Sequence, residues 1–380
     1  APSACPECSA SGDSFRELEL AEPTGFRSDW RGRDLEGDYA RGQRSSVPRI
    51  APNQGQMRST ETETALALSG PGDVFVVNDN NGRLYTFAPT ENGDSYVDVD
   101  LWEEGMFTLG QIRHDESDWW KGALGVVKKT DAVLVRPKGH ELGLDLLPYD
   151  PSRRGAWYSF GFLLRLVACQ ELDINVEELD VGYSMGHDGT DPTVSAFLSD
   201  QLENGAGYAT HLGSEPHLTN LLENMDRYVA NSLAGQGHSD CDSSCYDCIR
   251  DYYNSAFHPL LDWRLGRDLL DITLGRPLGI EYWAGRERNL AKSYAEDFGG
   301  SDITLDGDVS AILTSGSLLI VRHPFEQPTQ NDAVEHLHLT ERMDSAYVDA
   351  EDRAGSRDIH FVSSFDLQRR PGWIMAQQAG

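Results

Sequence analysis

The chain has 380 residues, enough for two or three domains and a buried core without disulfides; its 39% hydrophobic residues and 37 glycines exclude wholesale disorder and collagenous or low-complexity structure. No apolar run approaches the ~20 residues of a membrane helix, since 160–169 is broken by Arg165 and 311–321 is too short, and no secretory signal pattern opens the chain, so a cytoplasmic protein is expected. Thirty-two basic against 62 acidic residues give a net charge of −30, with only five lysines beside 27 arginines, a balance that points to a salt-accumulating halophile, where a Debye length of about 3 Å at 1 M salt leaves nucleic acid open as a partner.

The first 65 residues, rich in Gly, Ser, Arg and Asp with anchors at Phe15, Leu18, Leu20 and Phe26, read as a small ribbon followed by irregular chain. An apolar run at 73–77 meets Asp79-Asn80-Asn81-Gly82 and then Leu84, Tyr85 and Phe87, the pattern of a hairpin. Strand-like stretches follow at 124–127 and 132–135. Trp157, Phe160, Leu163, Leu164 and Val167 recur at helical spacing and predict a helix over 155–170 that packs through that stripe. Short buried strands are expected at 179–183 and 196–198. Ser214 and Pro216 open a second helix through Leu218, Leu221, Leu222, Met225, Val229 and Leu233. A third runs from about Pro259 through Leu261, Leu265, Leu269 and Ile272 until Gly275 and Pro277 stop it. Beyond Trp283 the pattern predicts a helix to Phe298, a buried strand over 311–321, an acidic helix near 333–343 and a last strand at 359–362. The expected fold class is α+β: a partial zinc ribbon and irregular segment at 1–65, a β-rich region at 66–150, a mixed α/β zinc-binding middle at 151–278 and a small α/β segment at 279–380.

The six cysteines fall into two groups and a single residue: Cys5 with Cys8, Cys169 alone, and Cys241, Cys245 and Cys248. Without a secretory signal, tight spacing reads as metal ligation rather than disulfides. Cys241-x3-Cys245-x2-Cys248 presents three sulfurs close enough in sequence to reach one tetrahedral zinc at about 2.3 Å each. The fourth ligand is open among His238, His258 and Cys169, with His258 narrowly favoured. Cys5-Pro6-Glu7-Cys8 is half of a zinc-ribbon knuckle, which reads as a truncated ribbon and implies that these residues descend from, or are part of, something larger.

Ser244-Cys245-Tyr246-Asp247-Cys248-Ile249-Arg250-Asp251-Tyr252, followed by Asn254, His258 and Leu261-Asp262-Trp263-Arg264-Leu265, resembles the MrfA-like zinc-binding domain. That module sits at the C-terminal end of certain superfamily-two helicases and in DrmB, a component of the DISARM anti-phage system. Asp200 with Asn204-Gly205-Ala206-Gly207-Tyr208 and the Trp157 helix extend the resemblance, and Pro23-Thr24-Gly25-Phe26-Arg27, Asn78-Asp79-Asn80-Asn81-Gly82 and Phe365-Asp366-Leu367 through Pro371 look like the flanks of DrmB-type members. The resemblance spans about 300 residues. MrfA closes its zinc site with a fourth cysteine six residues after the Cys-x-x-Cys, where this chain has Asn254.

The resemblance implies a helicase setting, yet the chain contains no Gly-x4-Gly-Lys-Ser/Thr loop to cradle phosphates, and Asp115-Glu116-Ser117 does not continue as a helicase acidic box. ATP hydrolysis by this chain alone is not expected. Gly205-Ala206-Gly207 reads as a tight turn after a strand rather than as a backbone approach to phosphate, His336-x-His338 as a solvated helix face, and Arg369-Arg370 equally as a phosphate grip or a surface salt bridge. The expected function is a structural-zinc accessory or C-terminal module of a helicase-type, DrmB-like assembly in anti-phage defence or DNA repair. Its expected partners are a helicase-type motor and DNA, with no membrane and no small-molecule substrate. The rival readings are a zinc-dependent hydrolase or nuclease and a protein-interaction scaffold.

Overall fold

The computed structural model describes residues 19–22, 47–52, 56–78, 84–93, 95–99, 112, 115–189, 191–235, 238–327 and 339–378. The first sheet takes β1 (Leu20–Ala21), β2 (Val47–Pro52), β3 (Arg58–Glu61), β4 (Ala65–Asn78), β5 (Tyr85–Pro89), β6 (Tyr96–Asp98), β7 (Trp120–Pro137), β8 (Leu179–Asp188) and β9 (Asp191–Asp200). Its spine is the antiparallel pair of β4 and β7, in register from Ala65 opposite Pro137 to Asn78 opposite Leu124. The outer edge of β4 is shared, with β3 against 66–69 and β2 against 72–77. The handover falls at Gly70-Pro71, where proline lacks the N–H a partner would need and Gly70, at φ +147°, lets Met57 approach its Cα. Along its other edge β7 holds β5, β1 and β9 in turn.

This arrangement differs from the hairpin expected across 73–87. β4 and β5 each pair with β7 and not with each other, because the 18-residue β7 offers both a long continuous partner. The turn 79–82 lies outside the described residues.

α1 (Pro151–Leu172) starts where the Asp150 carboxylate accepts the Arg153 N–H, and it runs against β8 and β9. The expected stripe is buried, and so are Tyr158, Phe162 and Arg165, so α1 is enclosed on nearly every side. After α2 (Tyr208–Leu212) and α3 (His217–Tyr228), which ends in a π turn Val229–Leu233, α4 (Trp263–Thr273) crosses α1. Glycines permit the close crossing: a Cβ on Gly266 would stand 2.9 Å from the Ser159 carbonyl carbon, and one on Gly155 would collide with the Leu260 carbonyl oxygen.

The C-terminal part contains α5 (Ile280–Phe298), β10 (Ser301–Leu305), β11 (Val309–Leu313), β12 (Ser317–Arg322), α6 (Glu341–Ala354), β13 (Asp358–Ser363), α7 (Ser364–Arg369) and α8 (Pro371–Gln378). Its sheet has the order β10-β11-β12-β13, antiparallel except for the last pair. In β12 Leu319 and Val321 pack with Ala291, Tyr294 and Ala295 of α5, while Leu318 and Ile320 pack with Met343, Ala346 and Ala350 of α6. Burial on both faces explains the unbroken apolar run. The single strand expected over 311–321 is two strands, turned at Thr314-Ser315-Gly316, and the acidic helix begins at Glu341, with 328–338 outside the described residues.

Loop 323–327 joins this part to the middle of the chain. Phe325 is fully buried in the main core, and its carbonyl accepts the Asp145 N–H. Among the described residues no helix is long and apolar enough to cross a membrane. The fold is α+β as expected.

Candidate metal centre

The π turn after α3 delivers His238, and an irregular loop from there to Asp262 carries the cysteines. His238, Cys241, Cys245 and Cys248 each offer a ligand atom, and these four atoms lie within 4.8 Å of one another. His238 Nε2 is 3.3 Å from Cys245 Sγ, and its buried Nδ1 has no hydrogen-bond partner among the described residues. Ligands about 2.3 Å from a tetrahedral zinc stand about 3.8 Å apart, so the cluster needs only a small contraction to close on one ion. The donor chemistry fits zinc, and four protein donors leave no open position for substrate or water.

The loop is held by bonds directed at its backbone. Cys245 N–H donates to Cys248 Sγ at 3.0 Å, a bond that favours a thiolate there. Cys245 O accepts from the backbone N–H groups of Cys248 and Arg250. Arg264, lying over the Trp263 ring, donates to Cys241 O at 2.7 Å and to Asp242 O at 3.0 Å. Ser244 Oγ donates to Leu261 O, and Trp263 N–H to Ser243 O. Asp262 caps α4, and burial pushes its carboxyl up to about 6 against the pull of Arg286, Arg264 and Arg369.

Burial also raises the Cys241 thiol and pushes Cys248 up to about 12. Such thiols are neutral at pH 7. Only thiolates bind metal, and a cation beside them reverses the preference.

The expected fourth ligand, His258, is elsewhere. Its Nε2 faces Asn254 Oδ1 at 2.9 Å and the Asp251 carbonyl at 3.1 Å. Asn254, buried at the position of the resemblance's fourth cysteine, also bonds the Ile249 carbonyl and the Asp251 N–H, so it closes a turn that engages His258. The structure therefore brings His238 to the thiols and keeps His258 in the supporting turn. Cys169 lies apart too, facing the Asn175 carbonyl with its thiol pushed up to about 11 by burial, the environment of an inert cysteine. Cys5 and Cys8 lie outside the described residues, as do His336 and His338.

One other candidate site is internally occupied. The N–H groups of Ala206, Gly207, Tyr208 and Ala209 all donate to the fully buried carboxylate of Asp200, at 2.6 to 3.1 Å. That nest already holds its anion and has no place for a phosphate. Arg369 donates to the carbonyls of Pro259 and Leu261, and Arg370 pairs with Asp366 while lying over Trp373. Asp115 caps the short turn Glu116–Asp118.

No family model matches the chain. Druantia protein DruE of Escherichia coli (strain UMEA 4076-1) is 31% identical over 123 residues, which is 31% of this chain and 6% of DruE. Two solved structures of the DUF1998 helicase MrfA are similar, one bound to DNA (TM-score 0.34, 12% identity, 60% of this chain and 25% of that one) and one bound to DNA and AMPPNP (TM-score 0.25, 11%, 57% and 22%). The chain spans a quarter or less of each of these proteins.

Proposed function

We propose that this chain is a structural-zinc accessory or C-terminal module of a helicase-type, DNA-associated assembly of the DrmB-like defence or DNA-repair kind, with His238, Cys241, Cys245 and Cys248 as the zinc ligands. The observation that carries the reading is the closed four-donor cluster, two of whose cysteines, Cys245 and Cys248, lie on the segment 244–265 that resembles the MrfA-like domain. The local identity with DruE adds support from a second comparison. A catalytic zinc needs a vacant coordination position, usually beside histidine and carboxylate ligands, and three thiols with one imidazole fill all four, which counts against the hydrolase reading. The chain has no phosphate-cradling loop of its own, so the motor belongs to a partner or to another part of a longer protein.

The test combines three measurements in molar potassium chloride on the chain purified without chelator: elemental analysis, ATP turnover, and association with DNA and with a superfamily-two helicase motor. One zinc per chain, no turnover and association with motor or DNA are the expected results. Absence of a bound transition metal, or failure to associate with either partner while the fold is intact, overturns the reading.

A further inference from the structure

In a chain of net charge −30, most arginines placed near a carboxylate hold it: Arg276 holds Asp226 and Asp271, Arg342 holds Glu326, and Arg370 holds Asp366. Three arginines around the metal loop do not. Arg250, Arg286 and Arg369 are half-buried, and none lies within ion-pair distance of a carboxylate among the described residues. Each is spent on an uncharged acceptor instead. Arg250 Nε donates to Ser244 Oγ at 2.8 Å, Arg286 Nη2 to Asp242 O at 2.5 Å, and Arg369 to the carbonyls of Pro259 and Leu261.

These bonds also place the three guanidiniums together. Ser244 Oγ, which receives Arg250, donates to the same Leu261 carbonyl that Arg369 reaches, and Arg286 shares the Asp242 carbonyl with Arg264. Arg250 and Arg286 both depress the proton affinity of Arg369, whose burial depresses it first. The opposing charge that Arg286 and Arg369 feel is Asp262, fully buried and committed to capping α4. The Nε atoms of Arg286 and Arg369 are buried without any hydrogen-bond partner among the described residues. A group of cations crowded at half-burial is stabilised by an anion from outside.

On the same loop, four residues before Arg250, the knuckle between Cys245 and Cys248 raises Tyr246, 69% exposed and edge-on to His258 at 5.6 Å, and the neighbouring Pro259 gives its carbonyl to Arg369. An open aromatic face on a loop that also carries guanidiniums is the chemistry that receives an unpaired base and its phosphate. Asp240, Asp242 and Asp247 are exposed on the same loop, so the face suits one phosphate with a stacked base better than a long run of duplex backbone.

We infer that Arg250, Arg286 and Arg369, together with Tyr246, form a single-stranded nucleic-acid site on the metal loop, one phosphate held by the guanidiniums and one base stacked on the ring. The inference rests on the DNA-associated reading above and names the surface that makes the contact.

The test is binding of labelled oligothymidylate to the full zinc-loaded chain, with inorganic phosphate and a duplex of equal length as separate arms. Arg286→Gln and Arg369→Gln are each expected to weaken oligothymidylate binding about tenfold, the scale of a charge-assisted hydrogen bond, and to flatten its salt dependence, while Arg286→Lys retains most of the slope. Tyr246→Ala is expected to cost about tenfold as well, the scale of one base stack; being exposed, it keeps the test open if an arginine variant misfolds. Arg353→Gln on α6 makes the same change in net charge and is expected to leave binding unchanged. Zinc content and circular dichroism establish that each variant is folded. Oligothymidylate binding indifferent to Arg286, Arg369 and Tyr246 overturns the inference, and so does binding of duplex alone, which leaves the accessory reading standing. Inorganic phosphate protecting the site as well as the oligonucleotide does would assign it to a free anion and overturn the nucleic-acid part.

Discussion

At the scale of single residues, the metal loop turns on which imidazole joins three thiols. Cys245→Ser is expected to release the ion and to cost on the order of 3 kcal/mol or more, because the binding free energy of a structural zinc is also folding free energy. The two histidines then separate by their effects. His238→Ala should lower zinc affinity steeply, while His258→Ala should keep one equivalent of zinc and lose only the turn around Asn254, with zinc titration against a chromophoric chelator as the readout. Retention of full affinity by His238→Ala would return the fourth position to His258. The cysteine trio was legible because its spacing is local. The histidine was less so, since His238 and His258 both lie within reach in sequence, and the deciding signal is Asn254, whose amide occupies His258. Asp200 carries a second prediction at this scale. Four N–H groups converge on its carboxylate, so Asp200→Ala is expected to destabilise by about 3 kcal/mol, the cost of stranding several buried donors. A chemical-denaturation midpoint equal to that of the parent would show that the nest refills with water.

Among elements, the α1 and α4 crossing sets the frame to which the metal loop is tied through Asp262. The Asp262 N–H donates to Ser159 Oγ, and Gly266 sits against the Ser159 backbone. Gly266→Ala therefore inserts a methyl where no space exists and is expected to cost about 1–3 kcal/mol, with a fall in zinc affinity as the loop shifts. The helices with large apolar side chains, α1, α3 and α4, were readable from periodicity. α6 was not placed correctly, because its buried face is Met343, Ala346, Ala350 and Ala354, and alanine carries little hydrophobic signal. The β4–β7–β5 order escaped as well, since a turn motif reports a reversal of chain and not which strand fills the space between its arms. The joint between α5 and α6 yields a pH prediction. Burial pushes Glu287 up to about 7, above its ordinary value near 4.5, although Arg342 lies beside it. The folded state thus binds a proton that the unfolded state has released between those values, so this group stabilises below about 4.5 and its contribution is lost as pH rises to about 7. Glu287→Gln should flatten the fall in stability across that window, as measured by denaturation at several pH values; an unchanged slope would assign the dependence to other groups.

For the whole molecule, the net charge of −30 outweighs any local pairing. Arginine pairs such as Arg276 with Asp226 and Arg153 with Asp150 hold only part of the carboxylate charge in place. The rest repels itself over the length of the molecule when ionic strength is low, since the Debye length grows to about 30 Å at 0.01 M and shrinks to about 3 Å at 1 M. The halophile reading then requires that the thermal midpoint rise with potassium chloride, by about 4 °C between 0.1 and 2 M if about 3 kcal/mol of repulsion is screened. Zinc and salt act at separate places, one on a local loop and the other on the whole surface, so their effects should add. Metal-stripped protein is expected to melt lower than the zinc form by a similar amount at every salt concentration. A midpoint that stays flat or falls with salt would mean that the acidic surface serves solubility alone. It would also remove the argument that this chain meets a polyanion under conditions where its own charge is screened, and DNA association would then have to rest on the local arginines of the metal loop.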